Sequence, residues 1–220
     1  MPQVDLLRAL PKSKRNVQKR AAAKTPELLA EIRQFGQLYF DGPREYGYGG
    51  YRYDGRWIPV ARDIVEHFSL EPGMRVLDVG CAKGFLVGDL MRVCPGLEAF
   101  GIDVSDFALR LCEPDLVGRL HRGSCDDLPF GDHVFDAVIS LNTIHNLDRA
   151  GVVRSLKEIV RVTKNQRAFI QVDSYYTEAE RDLFLDWVLT AKFHGFPAEW
   201  HKVFDEAGYR GDWDWTILKE

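Results

Sequence analysis

RVLDVGCAKGFLVGDLMRV, residues 75 to 93, is the stretch of this chain that decides its fold. The run RVLDVG predicts a buried β-strand, and GFLVGDLMRV has the apolar spacing of a helix. Between them lies a turn with the spacing Gly80-x-Ala82-x-Gly84. Glycine lets the backbone approach a ligand closely, and the helix N-terminus offers free N–H groups. The turn matches neither the GxGxxG of dinucleotide-binding proteins nor the GK[ST] of a phosphate-binding loop, so by itself it identifies no ligand class.

Further strands and helices alternate along the chain after this unit. Parallel strands need crossover helices, so the alternation predicts an α/β fold with a doubly wound, mostly parallel sheet and helices on both faces. A helix before the unit is expected at 26–40, with Thr25 as its N-cap and Pro26 at its first position. The expected strands are 75–80, 98–104, 119–124, 135–142, 167–174 and 212–218, and the other expected helices are 58–68, 84–93, 105–112, 151–162, 178–191 and 197–209.

Polar residues follow the strands at the carboxyl ends, where ligands bind in such sheets. Asp103 ends the second strand and is suited to accept hydrogen bonds from ribose hydroxyls. The third strand leads to Ser124, Cys125 and Asp126, whose backbone N–H groups and side-chain acceptors suit an adenine edge. The fourth strand ends at Asn142. This pattern favours a nucleoside-containing ligand.

Four segments together resemble class I S-adenosylmethionine-dependent methyltransferases. VLDVGCAKG resembles their first motif, FGIDVS the acidic ribose motif, GSCDDLPFGDHVFDAVISLNTIHNL the paired third and fourth motifs, and LKEIVRVTK the helix that follows. The likeness spans residues 70–175, with the motifs in order and normally spaced. It implies a Rossmann-like fold with S-adenosylmethionine as cofactor. One departure is Ala82, which replaces the middle glycine of the first motif and implies a slightly displaced loop.

The resemblance implies a cofactor-binding role for the residues that match the motifs. The glycine turn would line the methionine part, Asp103 would hold the ribose, and Asn142 would lie near the reacting methionine end. Cys125 and Asp126 would contact adenine. Relatives often carry aspartate where Ser124 stands, which leaves the adenine contact open between Ser124 and Asp126. The full expected cofactor-binding set is Arg52, Asp78, Gly80, Ala82, Gly84, Asp103, Val104, Ser124, Cys125, Asp126 and Leu141.

The segment 44–57, REYGYGGYRYDGRW, holds four of the chain's eight tyrosines. We expect it to form an N-terminal helical and aromatic lid over the strand ends, where the tyrosines wall the cofactor and attract its sulfonium cation. Arg52 would bind a carboxylate or a phosphate. The alternative is a loop whose rings pack on the core. The expected organisation is a basic arm, helix and lid at 1–57, followed by an S-adenosylmethionine-binding domain at 58–220.

Five residues are candidates for catalysis. His145 suits general-base chemistry because its unperturbed pKa lies near neutrality; the alternative is a histidine satisfied by local hydrogen bonds. Tyr175 and Tyr176 follow the fifth strand, where one ring would line the acceptor pocket and the other would support the chain. Tyr53 and Asn142 complete the set.

Charge and cysteine content narrow the function classes. Residues 1–24 carry seven basic residues and one acid, a net +6 that leaves −10 on the remainder of a chain with net charge −4. The basic arm is expected to be a solvated, partly helical tail or a contact for an acidic partner. A negative body disfavours nucleic acid. The sequence predicts no transmembrane helix, no secretory signal and no metal site, and its unclustered cysteines favour reduced thiols and a cytoplasmic location. It supports no particular oligomeric state.

The expected function is in-line transfer of a methyl group from S-adenosylmethionine to a small polar molecule. Two alternatives keep the cofactor. One is an intramolecular cyclase that forms azetidine-2-carboxylate and methylthioadenosine on the same fold. The other is a non-catalytic S-adenosylmethionine-binding regulator.

Overall fold

A single sheet organises the residues that the computed structural model describes, 2–11 and 15–219. Its strands are β1 (Arg75–Val79), β2 (Glu98–Asp103), β3 (Leu120–Arg122), β4 (Ala137–Leu141), β5 (Ala168–Ser174) and β6 (Asp212–Ile217). They lie in the order β3-β2-β1-β4-β5-β6, and every neighbouring pair is parallel. The expected α/β, doubly wound fold is confirmed, and these six strands are parallel throughout. Lys12 and Lys14 of the basic arm lie outside the described residues.

Helices cover both faces of the sheet, as crossover connections require. In chain order they are α1 (Val17–Ala23), α2 (Pro26–Ile32), α3 (Gln37–Asp41), α4 (Trp57–His67), α5 (Phe85–Val93), α6 (Asp106–Leu109), α7 (Arg149–Val162), α8 (Glu178–Trp187) and α9 (Pro197–Ala207). Leu90 of α5 shares one buried cluster with Val76 of β1, and Trp200 of α9 shares another with Leu77. Successive strand residues therefore face opposite cores. Among the described residues, every helix is too short or too polar to cross a membrane.

The strand order reverses between β1 and β4. From β1 the chain proceeds outward through β2 to β3, whereas β4 is followed on the other side by β5 and β6. Val79 at the end of β1 pairs with Ile102, and Leu141 at the end of β4 pairs with Gln171, so the strand ends meet at one edge. Ligands of doubly wound sheets bind at this switch point.

Three expected helices are shorter than the sequence pattern predicts, among them the helix expected at 105–112, of which α6 covers Asp106–Leu109. The helix expected at 26–40 is broken into α2 and α3 because Phe35 adopts a left-handed backbone with φ 50° and Gly36 is extended. The helix expected at 178–191 ends at Trp187, and the chain continues in extended conformation at Val188. The N–H groups of residues 192 and 193 both donate to the carbonyl of His145, at 2.9 and 3.1 Å, which draws this segment toward the strand ends.

The described part of the basic arm is packed against the rest of the chain. Gln3 forms a parallel bridge with Trp213 beside β6, and Leu6 is buried. Arg20 of α1 is only 5% exposed. Its guanidinium donates to the carbonyl of Gly47 at 2.8 Å and lies 3.4 Å from the centre of the Trp187 ring. The expectation of a solvated arm therefore does not hold at Arg20, which joins α1 to α8 and to the Tyr/Gly segment.

Candidate functional site

A cleft with an empty volume of about 890 Å³ lies at the switch point of the sheet. One side, which we name the strand wall, consists of Gly80, Ala82, Ile102, Asp103, Val104, Gly123, Ser124, Cys125, Leu141, Asn142 and Thr143. A second group of lining residues, which we name the aromatic wall, consists of Phe35, Tyr39, Phe40 and Tyr48. The other lining residues are Arg33, Asn146, Leu147, Thr190 and Lys192.

The turn after β1 is shaped by left-handed backbone angles. Gly80 has φ 89° and Ala82 has φ 51°. A Cβ on Gly80 would lie 1.9 Å from Oγ1 of Thr143, so a side chain does not fit there. The N–H of Ala82 donates to Oδ2 of Asp103 at 2.8 Å, which fixes the turn against the end of β2 in a conformation that alanine disfavours. Gly84 caps the N-terminus of α5 and lies outside the cleft lining.

Asp103 presents its carboxylate to the cleft while backbone donors hold it. Oδ1 accepts from the N–H of Ser105 at 2.8 Å, and Oδ2 accepts from that of Ala82 at 2.8 Å. Burial raises the pKa of Asp103, and the N–H groups of Ser105, Ala82 and Val104 oppose the rise. Each carboxylate oxygen has two acceptor sites, so each can also accept a hydrogen bond from a ligand hydroxyl in the cleft.

Asp78 lies in β1, outside the cleft lining and only 4% exposed. Burial, and secondarily the charge of Asp103, raises the pKa of Asp78 to about 7. The two carboxyls therefore influence each other's titration. A cationic ligand in the cleft would favour the charged form of both.

Beyond β3, the cleft contains Ser124 and Cys125 but not Asp126. Asp126 pairs with Arg154 of α7 at 2.8 Å and accepts a hydrogen bond from the hydroxyl of Ser124. Burial opposes ionisation, but these two partners keep the pKa of Asp126 below its ordinary value. Cys125 is buried and its sulfur accepts from Ser155 at 3.3 Å; burial raises the pKa of its thiol to about 11. Cys125 is therefore a neutral thiol at pH 7.

The end of β4 brings two amides to the cleft. Asn142 has a left-handed backbone with φ 52°, and its side chain is fixed because Nδ2 donates to Gln171 at 3.1 Å and Oδ1 accepts from Thr216 at 2.9 Å. Leu141 lines the cleft beside it. Oδ1 of Asn146 is buried and has no hydrogen-bond partner within the described part of the chain. A buried acceptor without a partner is unfavourable, so a ligand donor at Asn146 would be stabilised.

The aromatic wall comes from the break between α2 and α3 and from the chain that follows. The carbonyl of Phe35 accepts from the hydroxyl of Ser105 at 2.6 Å, which holds this break over the end of β2. Tyr39 packs edge-on against Phe40 and against Tyr48, each at 5.2 Å between ring centres. Phe40 and Tyr48 stack at 5.7 Å. Faces of such rings attract cations.

An ion pair fastens the aromatic wall to the glycine turn. Nζ of Lys83 lies 2.9 Å from both carboxylate oxygens of Asp41, in α3, and the lysine side chain is only 7% exposed. The same carboxylate accepts from the N–H of Tyr51 at 3.1 Å. The ring of Tyr51 stacks on Phe85 at 4.9 Å. The turn, α3 and the Tyr/Gly segment are thus joined at one carboxylate.

Two residues of the segment 44–57 that were expected to contact the cofactor lie away from the cleft. The hydroxyl of Tyr53 donates to Asp89 at 2.7 Å, and its ring packs on Phe85 of α5. Arg52 is exposed, and both residues lie outside the cleft lining. Of this segment, Tyr48 is the residue that lines the cleft.

Three catalytic candidates after β4 and β5 also lie outside the cleft lining. Nδ1 of the buried His145 accepts from the N–H of Asp173 at 3.1 Å, and burial lowers the pKa of this histidine. Tyr175 is buried, with its hydroxyl 3.1 Å from Nδ1 of His194, whereas Tyr176 is 54% exposed. Asn142 is thus the catalytic candidate that the cleft contains.

Sequence reasoning missed lining residues at the strand ends, before the Tyr/Gly segment and near position 190. Tyr39 and Phe40 fall within the expected continuous helix, although their position just before the Tyr/Gly segment is an available signal. Thr190 falls at the end of another expected helix, and Lys192 carries no motif. The full set of missed lining residues is Arg33, Phe35, Tyr39, Phe40, Ile102, Gly123, Thr143, Asn146, Leu147, Thr190 and Lys192.

Known proteins share this architecture. Residues 77–170 match the family model of a methyltransferase domain. Cycloartenol-C-24-methyltransferase 1 of Oryza sativa subsp. japonica is 30% identical over 145 residues, 57% of this chain and 40% of that protein. Fatty-acid O-methyltransferase of Mycolicibacterium smegmatis is 31% identical over 105 residues, 46% of this chain and 38% of that protein. The matches thus span less than half the length of either relative. The YcgJ protein of Bacillus subtilis has the same fold, with a TM-score of 0.55 at 18% identity over 67% of this chain and 66% of that one.

The parallel sheet and its switch-point cleft define a doubly wound α/β protein with a ligand site at the strand ends. Within that class, the methyltransferase-domain match and the methyltransferase relatives support a class I S-adenosylmethionine-dependent methyltransferase. The same domain supports S-adenosylmethionine as the cofactor. The family resemblance and the cofactor expected from the sequence are therefore confirmed.

Proposed function

We propose that this chain transfers the methyl group of S-adenosylmethionine to a small polar acceptor. The observation that carries the proposal is the carboxylate of Asp103, which faces the cleft beside the glycine turn. An acid at the end of β2 suits the two ribose hydroxyls of an adenosyl group. Ser124 and Cys125 are suited to the adenine edge, and Asn142 to the methionine end.

The residues present fit an adenosyl sulfonium cation. The ring faces of the aromatic wall would attract the sulfonium by roughly 0.5–2 kcal/mol. The partnerless Oδ1 of Asn146 would accept from an ammonium or hydroxyl group. Burial raises the pKa values of Asp78 and Asp103, and a cation in the cleft would favour the charged form of both carboxyls.

The contribution of the chain is mainly orientation. When bound, the cofactor supplies an electrophilic methyl group on sulfur. The strand wall would hold the adenosyl and methionine parts, and the aromatic wall, fastened by Lys83 and Asp41, would exclude water. In-line displacement needs an acceptor atom about 3–3.5 Å from the methyl carbon and no nucleophilic side chain.

The acceptor does not follow from the relatives. Their names point to C-24 of cycloartenol in one protein and to a fatty acid in the other. One fold hosts many acceptors, so neither transfers to this chain. The polar side chains on the cleft, among them Asn146, Thr190 and Lys192, support a small polar acceptor.

The test identifies the adenosine product. The protein is incubated with S-adenosylmethionine, with and without candidate acceptors, and the products are separated by mass spectrometry. S-adenosylhomocysteine formed only with an acceptor is the expected result. Methylthioadenosine formed without an acceptor would show intramolecular cyclisation instead. Binding measured by calorimetry without either product would contradict catalysis and favour the regulator.

A further inference from the structure

The cleft carries positive charge to which the proposed function assigns no specific ligand group. Its charged lining residues are Arg33, Asp103 and Lys192. Asp103 is held by the glycine turn and is assigned to the ribose. Arg33 and Lys192 are exposed, and across 2–11 and 15–219 neither side chain has a carboxylate partner. The cleft therefore favours an anion over a second cation.

Lys192 lies on the side of the cleft assigned to the reacting methionine end. Its N–H donates to the carbonyl of His145 at 2.9 Å, which ties it to the turn that follows Asn142. Thr190 of the same segment and Tyr39 of the aromatic wall line the cleft together with Lys192. An ammonium and two hydroxyls that line one cleft are donors of the kind that a carboxylate accepts. Leu147 adds an apolar surface beside them.

We propose that the acceptor is a small organic carboxylic acid, bound as its carboxylate beside Lys192 and methylated on a carboxylate oxygen. The inference rests on the proposed methyl transfer. Carboxylic acids with a pKa near 4 are ionised at neutral pH, so the attacking oxygen needs no general base. Leu141 and Leu147 would contact the organic body of the acid.

The reaction balances without proton transfer. A carboxylate oxygen forms a bond to the methyl carbon while the carbon–sulfur bond breaks, and the electron pair of that bond remains on sulfur. The positive charge of the sulfonium and the negative charge of the carboxylate cancel. The products are a methyl ester and S-adenosylhomocysteine. This agrees with the position of His145, whose Nδ1 is engaged by the backbone of Asp173.

The stability of the methylated product in alkali tests whether the acceptor is a carboxylate, without requiring that the acid be identified. The full chain is incubated with methyl-tritiated S-adenosylmethionine and a deproteinised small-molecule extract of bacterial cells. Mild alkali cleaves methyl esters to volatile methanol, whereas ethers, methylated amines and C-methyl products keep the label. We expect volatile label, and none from an extract whose carboxylic acids were first converted to amides.

The other outcomes distinguish a wrong acceptor class from the absence of methyl transfer. Alkali-stable label overturns the carboxylate inference and leaves methyl transfer standing. No labelled product, in a preparation that binds S-adenosylmethionine by calorimetry, contradicts the proposed function and the inference with it.

Variants of Lys192 test whether its ammonium binds the carboxylate of the acceptor. Lys192→Gln should lower the initial rate of volatile-label formation at limiting extract about 10- to 100-fold, because a charge-assisted hydrogen bond is lost. Lys192→Arg should restore most of the rate. The matched control is Lys202→Gln on the exposed side of α9, which should leave the rate unchanged. Binding of S-adenosylhomocysteine should be the same in all three. If Lys192→Gln weakens that binding instead, the ammonium serves the carboxylate of the cofactor and the inference falls.

Discussion

The strand wall and the aromatic wall line one cleft, but different interactions hold them in place. The strand wall stands on parallel strands, and backbone bonds such as that from Ala82 to Asp103 fix its polar groups. The aromatic wall is carried by α2 and α3, which have only seven and five residues, and by the chain that follows them. Ring contacts such as the stack of Phe40 on Tyr48 stabilise it. The strand wall is thus preorganised by the fold, whereas the position of the aromatic wall depends on a few side-chain contacts.

Removing the carboxylate of the strand wall should have the largest effect. Asp103→Ala deletes the acceptor for both ribose hydroxyls and should weaken S-adenosylhomocysteine binding roughly 1000-fold, since each charge-assisted bond contributes about 1.5–3 kcal/mol. Isothermal calorimetry measures the loss. Asp106→Ala, an exposed acid paired with Arg110 on α6, is the control and should bind like the wild type. Undiminished binding by Asp103→Ala would remove the basis of the proposed cofactor site.

Breaking the ion pair beneath the aromatic wall should have the next largest effect. Asp41→Asn leaves the buried Lys83 without its charge partner and should lower the free energy of unfolding by about 3 kcal/mol in urea. Asp54→Asn, which loses an exposed partner of Arg56, should change it by about 0–1 kcal/mol. Replacing Lys83 by Met in the Asp41→Asn background should recover stability, because no buried charge remains. An Asp41→Asn variant as stable as the wild type would show that the pair does not hold the wall.

The buried acid of β1 should make stability depend on pH. Asp78 keeps its proton up to about pH 7 when folded and loses it near pH 4 when unfolded. The folded state therefore binds more protons between pH 4 and 7, and the free energy of unfolding falls as pH rises through that window. Asp78→Asn removes this dependence and should gain about 4 kcal/mol of stability relative to the wild type between pH 4 and pH 8. Urea unfolding at both values measures it. An equal difference at both pH values would exclude titration as the cause.

The smallest effect distinguishes two tyrosines of the segment 44–57. Tyr48→Leu keeps apolar bulk in the cleft but loses the ring face, so binding of cationic S-adenosylmethionine should weaken about 3- to 10-fold. Binding of neutral S-adenosylhomocysteine should change less. Tyr53→Leu, on the outer side of α5, should alter neither. Weaker binding by Tyr53→Leu would instead support the lid expected from the sequence and require the segment to rearrange on binding.

The strand wall was largely predictable because its residues follow local patterns. Gly80, Asp103, Cys125 and Asn142 each come after a run of strand-forming residues, and parallel strands bring such ends to one edge. Which of Ser124 and Asp126 lines the cleft could not be predicted from the local sequence. It depends on Arg154, which lies 28 residues further along the chain and pairs with Asp126.

The sequence predicted that aromatic rings line the cofactor site, but it did not predict which rings. Tyr48 and Tyr53 have the same chemistry and stand five positions apart, yet one stacks on Phe40 and the other bonds to Asp89. A glycine-rich segment has no regular period, so its sequence does not show which rings share a face. The helix break at Phe35 was missed for a related reason, since apolar spacing continues through it and only the tertiary bond from Ser105 marks it.

The contact between Arg20 and Trp187 gives this protein an internal optical probe. The guanidinium lies over the indole and also holds the carbonyl of Gly47, directly before Tyr48. Indole emission responds to a charge at such a distance, so separation of these groups changes the fluorescence of unlabelled protein. Stopped-flow recordings, with Trp187→Phe as the blank, can thus time any displacement of this segment as ligand enters.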